Sequence, residues 1–163
     1  MRRIFLVAAV ACFCATAASA QTKLSGTAQC AKPDQMNAVA VGDRADHSLF
    51  VAQIKCTYTK PIEIGGDKSK DGVSTETADS TGNTAKAHGY HLVTMESGDK
   101  VVFRYEGMAT SKDGNAVDAK GNWTLHGGTG KLKGIKGKGT YDCKASGDGG
   151  LSCEVEGEYQ SAK

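Results

Sequence analysis

The chain has 163 residues, with 21 Gly, 2 Pro, 6 Cys and 6% aromatic residues, a length that fits one domain rather than two. Its 20 Lys and Arg against 18 Asp and Glu give a formal charge of +2, and Arg2 and Arg3 supply that whole excess. A neutral remainder argues against a protein built to coat nucleic acid or an anionic membrane.

The first twenty residues read as an address. Met1-Arg2-Arg3 is a positive start, Ile4 to Ala18 is apolar and rich in Ala, and Ala18-Ser19-Ala20 is a small-x-small cleavage site. These are the three parts of a secretory signal peptide. The apolar run is short against the ~20 residues of a bilayer span, so a membrane anchor is the weaker reading. The residues before Cys12 and Cys14 fit a lipid-attachment signal poorly. The expectation is therefore a signal peptide over 1–20, cleavage after Ala20, and one domain over 21–163. No later segment is apolar enough to span a membrane, and the expected location is secreted or periplasmic.

Export changes how the cysteines read. Cys12 and Cys14 leave with the leader, and Cys30, Cys56, Cys143 and Cys153 remain. Four thiols in an oxidising compartment suggest two disulfides, with three possible connectivities. No C-x-x-C pair exists and no His sits at ligand spacing from a Cys, so no metal site and no cofactor are expected.

Past the leader, no long stretch has helical apolar spacing. Alternation with period two recurs instead, broken by Gly, Asn, Asp and Ser. Residues 21–46 supply one or two strands of undetermined order. Over 48–59, Phe50, Ala52, Ile54, Cys56 and Tyr58 fall on one face and Gln53, Lys55, Thr57 and Thr59 on the other. After Pro61, the polar run Gly65 to Gly72 reads as a loop, and Val73 to Asp79 as a weaker strand.

Two hairpins follow. A turn at Ser97-Gly98-Asp99 sets Met95 against Val101, Val93 against Phe103, His91 against Tyr105, Gly89 against Gly107 and Ala87 against Ala109. Every pair is apolar, aromatic or small, and a one-residue slip would invert the faces. Glycines at the far end predict a tapering or sharply curved sheet. A second hairpin centred on Asp148 sets Ala145 against Leu151, Cys143 against Cys153, Tyr141 against Val155 and Gly137 against Tyr159. Directly opposed strand residues come close enough for a disulfide. This predicts Cys143–Cys153 and, by elimination, Cys30–Cys56. Many short antiparallel strands predict an all-β barrel or sandwich.

Between the hairpins, Trp123 and Leu125 share a strand face, Gly127-Gly128-Thr129-Gly130 breaks the strand, and Leu132 and Ile135 read as inward anchors. Gly127, Gly128, Thr129, Gly130, Leu132 and Gly137 together resemble the glycine signature of the allene oxide cyclase and dirigent superfamily. The resemblance covers the C-terminal third by motif and the rest by strand pattern. It implies a single antiparallel eight-stranded β-barrel with an apolar cavity. Plant members steer cyclisation or radical coupling of small hydrophobic molecules, largely by holding them in shape. The same glycines lack the Lys-Ser/Thr and the helix of a phosphate loop.

Few residues could carry chemistry. His91 and Tyr105 are opposed and inward, either as polar contacts to a ligand, with His as acid or base, or as a hydrogen-bonded pair in a packed core. Phe103, Val93 and Trp123 complete the candidate ligand-binding set, although a lone Trp also serves as core filling. His88 and His91 sit on opposite faces of a strand and cannot share a metal. His47 and His126 fall near strand ends and receive no role. Lys131, Lys133, Lys136 and Lys138 read as a solvated face, with no interleaved aromatics for single-stranded nucleic acid. No Ser-His-Asp order or carboxylate pair assigns a catalytic residue. Three readings stay open: a barrel binding a small hydrophobic or amphiphilic ligand, a cofactor-free isomerase or cyclase acting by cavity shape, and a solid-packed structural protein of the cell envelope. Oligomeric state is open in all three.

Overall fold

The computed structural model describes residues 21–147 and 149–161. The expected leader with Cys12 and Cys14, its cleavage site, and the hairpin centre Asp148 lie outside the described residues. Alternation of inward and outward side chains gives ten strands: β1 (Thr22–Cys30), β2 (Gln35–Ala40), β3 (His47–Lys60), β4 (Glu63–Ile64), β5 (Asp67–Thr81), β6 (Thr84–Met95), β7 (Lys100–Lys112), β8 (Asn115–Gly128), β9 (Lys136–Ala145) and β10 (Leu151–Gln160). One 3₁₀ turn, Gly130–Leu132, joins β8 to β9. All pairings are antiparallel. β1, β10, β9, β8, β7, β6, β5 and β3 pair in that order, and β3 returns to β1, which closes an eight-stranded barrel. β2 runs beside β3 outside the ring, and β4 pairs with the start of β5.

The β9–β10 register is as the cysteines predict, with Cys143 opposite Cys153, Tyr141 opposite Val155 and Gly137 opposite Tyr159. Both expected disulfides form, Cys30–Cys56 and Cys143–Cys153. They pack together with Ala28 on one wall of the interior.

Two sequence expectations need correction. In the β6–β7 hairpin, His91 stands opposite Phe103, Val93 opposite Val101, Gly89 opposite Tyr105 and Ala87 opposite Gly107, one partner along from the expected pairs. The loop is Glu96-Ser97-Gly98, because Gly98 takes the left-handed position (φ 89°) and its N–H closes on the Met95 carbonyl. A three-residue loop ending in left-handed Gly fixes this register. The second correction concerns Gly65 to Gly72. Gly65-Gly66, both left-handed, make a two-residue turn, and β5 is already extended from Asp67. Lys68 and Lys70 point to water while Ser69 is buried, its hydroxyl accepting the Ile62 N–H at 2.8 Å. A further hairpin, β7–β8, turns on Asp113-Gly114.

Packing divides the barrel into two ends. At one end, Val93, Met95, Val101, Phe103, Trp123 and Leu125 fill the interior, with Ile62, Ile64, Leu132 and Ile135 buried beneath them as a plug. The Gly127–Gly130 break serves this plug. It lets the chain fold inward so that Leu132 is buried, while Asp99 receives the Lys131 N–H and the Thr129 hydroxyl. Towards the other end many inward positions are small, namely Ala52, Ala78, Ala85, Ala87, Gly107, Ala109 and Ala119, with Phe50 opposite Ala78 and with Ile54 and Leu151 against the disulfide wall. Most of these stay partly accessible although they point inward, so this end is open.

Large residues fit the closed end because glycines oppose each other across it. Trp123 lies over the Gly139–Gly157 pair, and its N–H donates to the Thr140 carbonyl at 3.0 Å. A Cβ on Gly139 would stand 2.5 Å from the indole and 2.0 Å from the Glu156 carbonyl oxygen. Gly139→Ala is expected to cost about 2–3 kcal/mol by overpacking. Gly147→Ala, at a position with no neighbour within 4 Å, is the neutral control. The two midpoints in urea give the comparison.

Candidate functional site

The boundary between the filled and open ends carries the polar groups of the interior. β5 aims Ser74 and Glu76 inward, β6 aims His91, β7 Tyr105, β3 Tyr58 and β9 Tyr141. The register Ser74 opposite His91 and Glu76 opposite Gly89 brings the first three together. Gly72 leaves the space the imidazole occupies, since a Cβ there would stand 2.6 Å from the ring. Tyr141 similarly reaches over the Gly107–Gly121 pair.

These groups form two hydrogen-bonded sets. Tyr58 Oη lies 2.8 Å from His91 Nε2, and His91 Nδ1 lies 2.8 Å from Ser74 Oγ. The Tyr105 hydroxyl donates to Glu76 Oε2 at 2.7 Å. The Tyr105 and Tyr141 rings meet edge to face, 5.8 Å apart at 83°.

Burial sets the protonation states. It lowers His91 to about 4, so the imidazole is neutral, one nitrogen donating and the other accepting. It raises the Glu76 carboxyl, an effect the Tyr105 hydrogen bond partly offsets. Burial, with Asp71 nearby, pushes Tyr58 up; burial and then the Glu76 charge push Tyr105 up; Tyr141 rises to about 12 for the same two causes and Glu106. The layer therefore presents three neutral phenols, a neutral imidazole and a carboxyl of raised pKa. It can hydrogen-bond a guest or pass a proton. A nucleophilic Ser74 is disfavoured, because an imidazole with a pKa of about 4 is a poor base for a hydroxyl.

The sequence-predicted residues separate here. His91 and Tyr105 both belong to the layer, but they do not pair with each other; His91 bonds Tyr58 and Ser74, and Tyr105 bonds Glu76. The two-residue change of partner in the β6–β7 hairpin accounts for this. Val93, Phe103 and Trp123 lie in the packed end, Phe103 and Trp123 edge to face with centroids 5.1 Å apart. Glu76, Ser74, Tyr58 and Tyr141 were not identified as site residues. Tyr58 was on the correct inward face. Glu76 sits in a strand polar on both faces, where alternation has nothing to sort.

His47 also takes a part not foreseen. Its Nδ1 lies 2.6 Å from Asp43 and its Nε2 2.8 Å from Asp79, which clamps the β2–β3 turn to β5. Those hydrogen bonds raise its pKa. Among the described residues, no three His, Cys, Asp or Glu converge as a metal-binding set. No helix among them is long and apolar enough to cross a membrane.

A depression of about 540 Å³ lies at the rim of the open end. Val117 and Ala145 form part of its wall, and Lys32, Lys112 and Asn115 surround it.

Comparison with solved structures identifies the architecture. The pterocarpan synthase dirigent protein GePTS1 superposes with a TM-score of 0.53 at 14% identity, covering 88% of this chain and 89% of that one. The pterocarpan synthase dirigent protein PsPTS1 gives 0.53 at 12% identity, covering 88% and 97%. A conserved protein of unknown function from Rhodopseudomonas palustris, RPA1785, gives 0.48 at 9% identity, covering 85% and 98%. No family model and no curated protein matches the chain. At these identities the likeness is one of fold, and the chain forms a dirigent-type barrel.

The buried imidazole makes stability depend on pH. An unfolded His takes its proton near 6.5, before the folded one does near 4. The unfolded state thus binds more protons between these values. The contribution is full above about 6.5 and is lost as pH falls towards 4, by on the order of 3 kcal/mol. The raised Glu76 acts in the opposite sense, so the His91 part is read by difference. His91→Gln should flatten the fall in urea-unfolding stability between pH 6.5 and 4; an unchanged slope would contradict a neutral buried imidazole.

Proposed function

We propose that this is an exported barrel that binds a small amphiphilic molecule in its open half, with the layer of Glu76, Tyr105 and Tyr141 as the polar floor. The supporting observation is the placement of a carboxyl and its phenols inside the barrel, below an end whose inward residues, many of them alanines, are mostly partly accessible. Two disulfides are compatible with an extracellular or periplasmic setting. The neighbours named pterocarpan synthases place chemistry on a barrel of this shape, and fold alone does not carry their reaction over.

Two rival readings each have an observation in their favour. The Glu76–Tyr105 pair would suit an isomerase or cyclase that needs an acid or base. The filled end would suit a structural envelope protein.

Native mass spectrometry of protein purified from its own cells tests the proposal. The expected result is a small-molecule adduct released on denaturation. Ala109→Phe, which puts a ring into the open half, should fold with both disulfides and lose the adduct. A bare chain mass for the unaltered protein would favour the packed-barrel reading.

A further inference from the structure

The polar layer is unbalanced in charge. Glu76 projects into the barrel from β5, and its cross-strand neighbour on β6 is Gly89, which offers no side chain. Its Oε2 accepts the Tyr105 hydroxyl. No basic side chain among the described residues pairs with it, whereas the carboxylates of Asp34, Asp43 and Asp118 on the exterior all do. A partly buried carboxylate without a cation is costly unless it takes up a proton or a guest supplies the missing charge. The surroundings fit a guest that would. Tyr105 and Tyr141 stand almost at right angles beside the carboxyl, giving two aromatic walls of the kind organic cations favour. Both phenols are pushed above the neutral range, so they add no second negative charge. An anionic guest would meet Glu76 with nothing to offset the repulsion. A neutral hydroxyl could donate to Glu76 but would leave its charge uncompensated.

We propose that the guest of the open half is a small organic cation, an ammonium head on an apolar body, and that Glu76 receives its head between Tyr105 and Tyr141. The body lies against Ala78, Ala87 and Ala109. This rests on the ligand-binding reading above and adds the chemical class of the ligand.

Three probes with one body and different heads test it: 2-phenylethylamine, 2-phenylethanol and phenylacetate, titrated calorimetrically at pH 7.5 into the oxidised, full mature chain. The amine is expected to bind at least tenfold more tightly than the alcohol, and phenylacetate more weakly than either. Glu76→Gln should bring the amine to within twofold of the alcohol while leaving the alcohol's affinity in place. Equal binding of amine and alcohol, or an amine preference that survives in Glu76→Gln, overturns the assignment and leaves the open half as a ligand site. Binding of none of the three overturns both. Should Glu76→Gln fail to fold, Tyr105→Phe decides. It removes the hydroxyl that competes for the carboxylate, so the amine preference should hold or rise, and its collapse to the alcohol's level overturns the proposal.

Discussion

The interior width of an eight-stranded barrel is the constraint on which the rest depends. Such a ring has room for side chains only if large and small ones alternate across it. Here the small partners are glycines in opposed pairs, Gly139 with Gly157 and Gly107 with Gly121, and the large ones are Trp123 and Tyr141 laid across them. Each aromatic fills the space that two missing side chains release. Because the bulky residues gather towards one end, that end becomes a packed core and the other does not.

The polar layer sits where this core stops. Tyr58, His91 and Ser74 are linked through hydrogen bonds, as are Tyr105 and Glu76, and no buried side-chain polar atom among the described residues is left without a partner. Below them the apolar plug excludes water. Above them most inward wall positions are partly accessible. Polar groups at such a boundary keep their bonds with one another and still face an accessible space, which is the arrangement a binding floor needs. The glycine-rich segment that carries the family resemblance works elsewhere, folding Leu132 under the barrel.

Much of the fold was legible because period-two alternation survives in the strands facing a core. The cysteines strengthened it: one register of β9 against β10 brings Cys143 to Cys153, and the remaining pair follows. The β6–β7 hairpin shows the limit. Moving each residue to the next same-face partner keeps every inward side chain inward, so alternation cannot separate the two registers. The left-handed preference of Gly98 separates them. Lys68, Lys70 and Asp71 resembled a loop because charge and glycine mark loops, yet on a barrel wall such residues simply face water. Glu76 was illegible for a related reason. In Ser74-Thr75-Glu76-Thr77 both faces are polar, and only the tertiary pairing with β6 tells which one looks inward.

The two sulfur bridges stand on a single wall, next to Ala28 and short of the open rim. That half of the molecule has a smaller buried apolar cluster than the plugged end, and regions poorer in apolar packing are the ones that open first. The bridges act there as hoops around an unfilled cask. A chain kept where thiols stay reduced would retain its packed base and hold its other end less firmly, so the redox state of the surroundings governs how well that end keeps its shape.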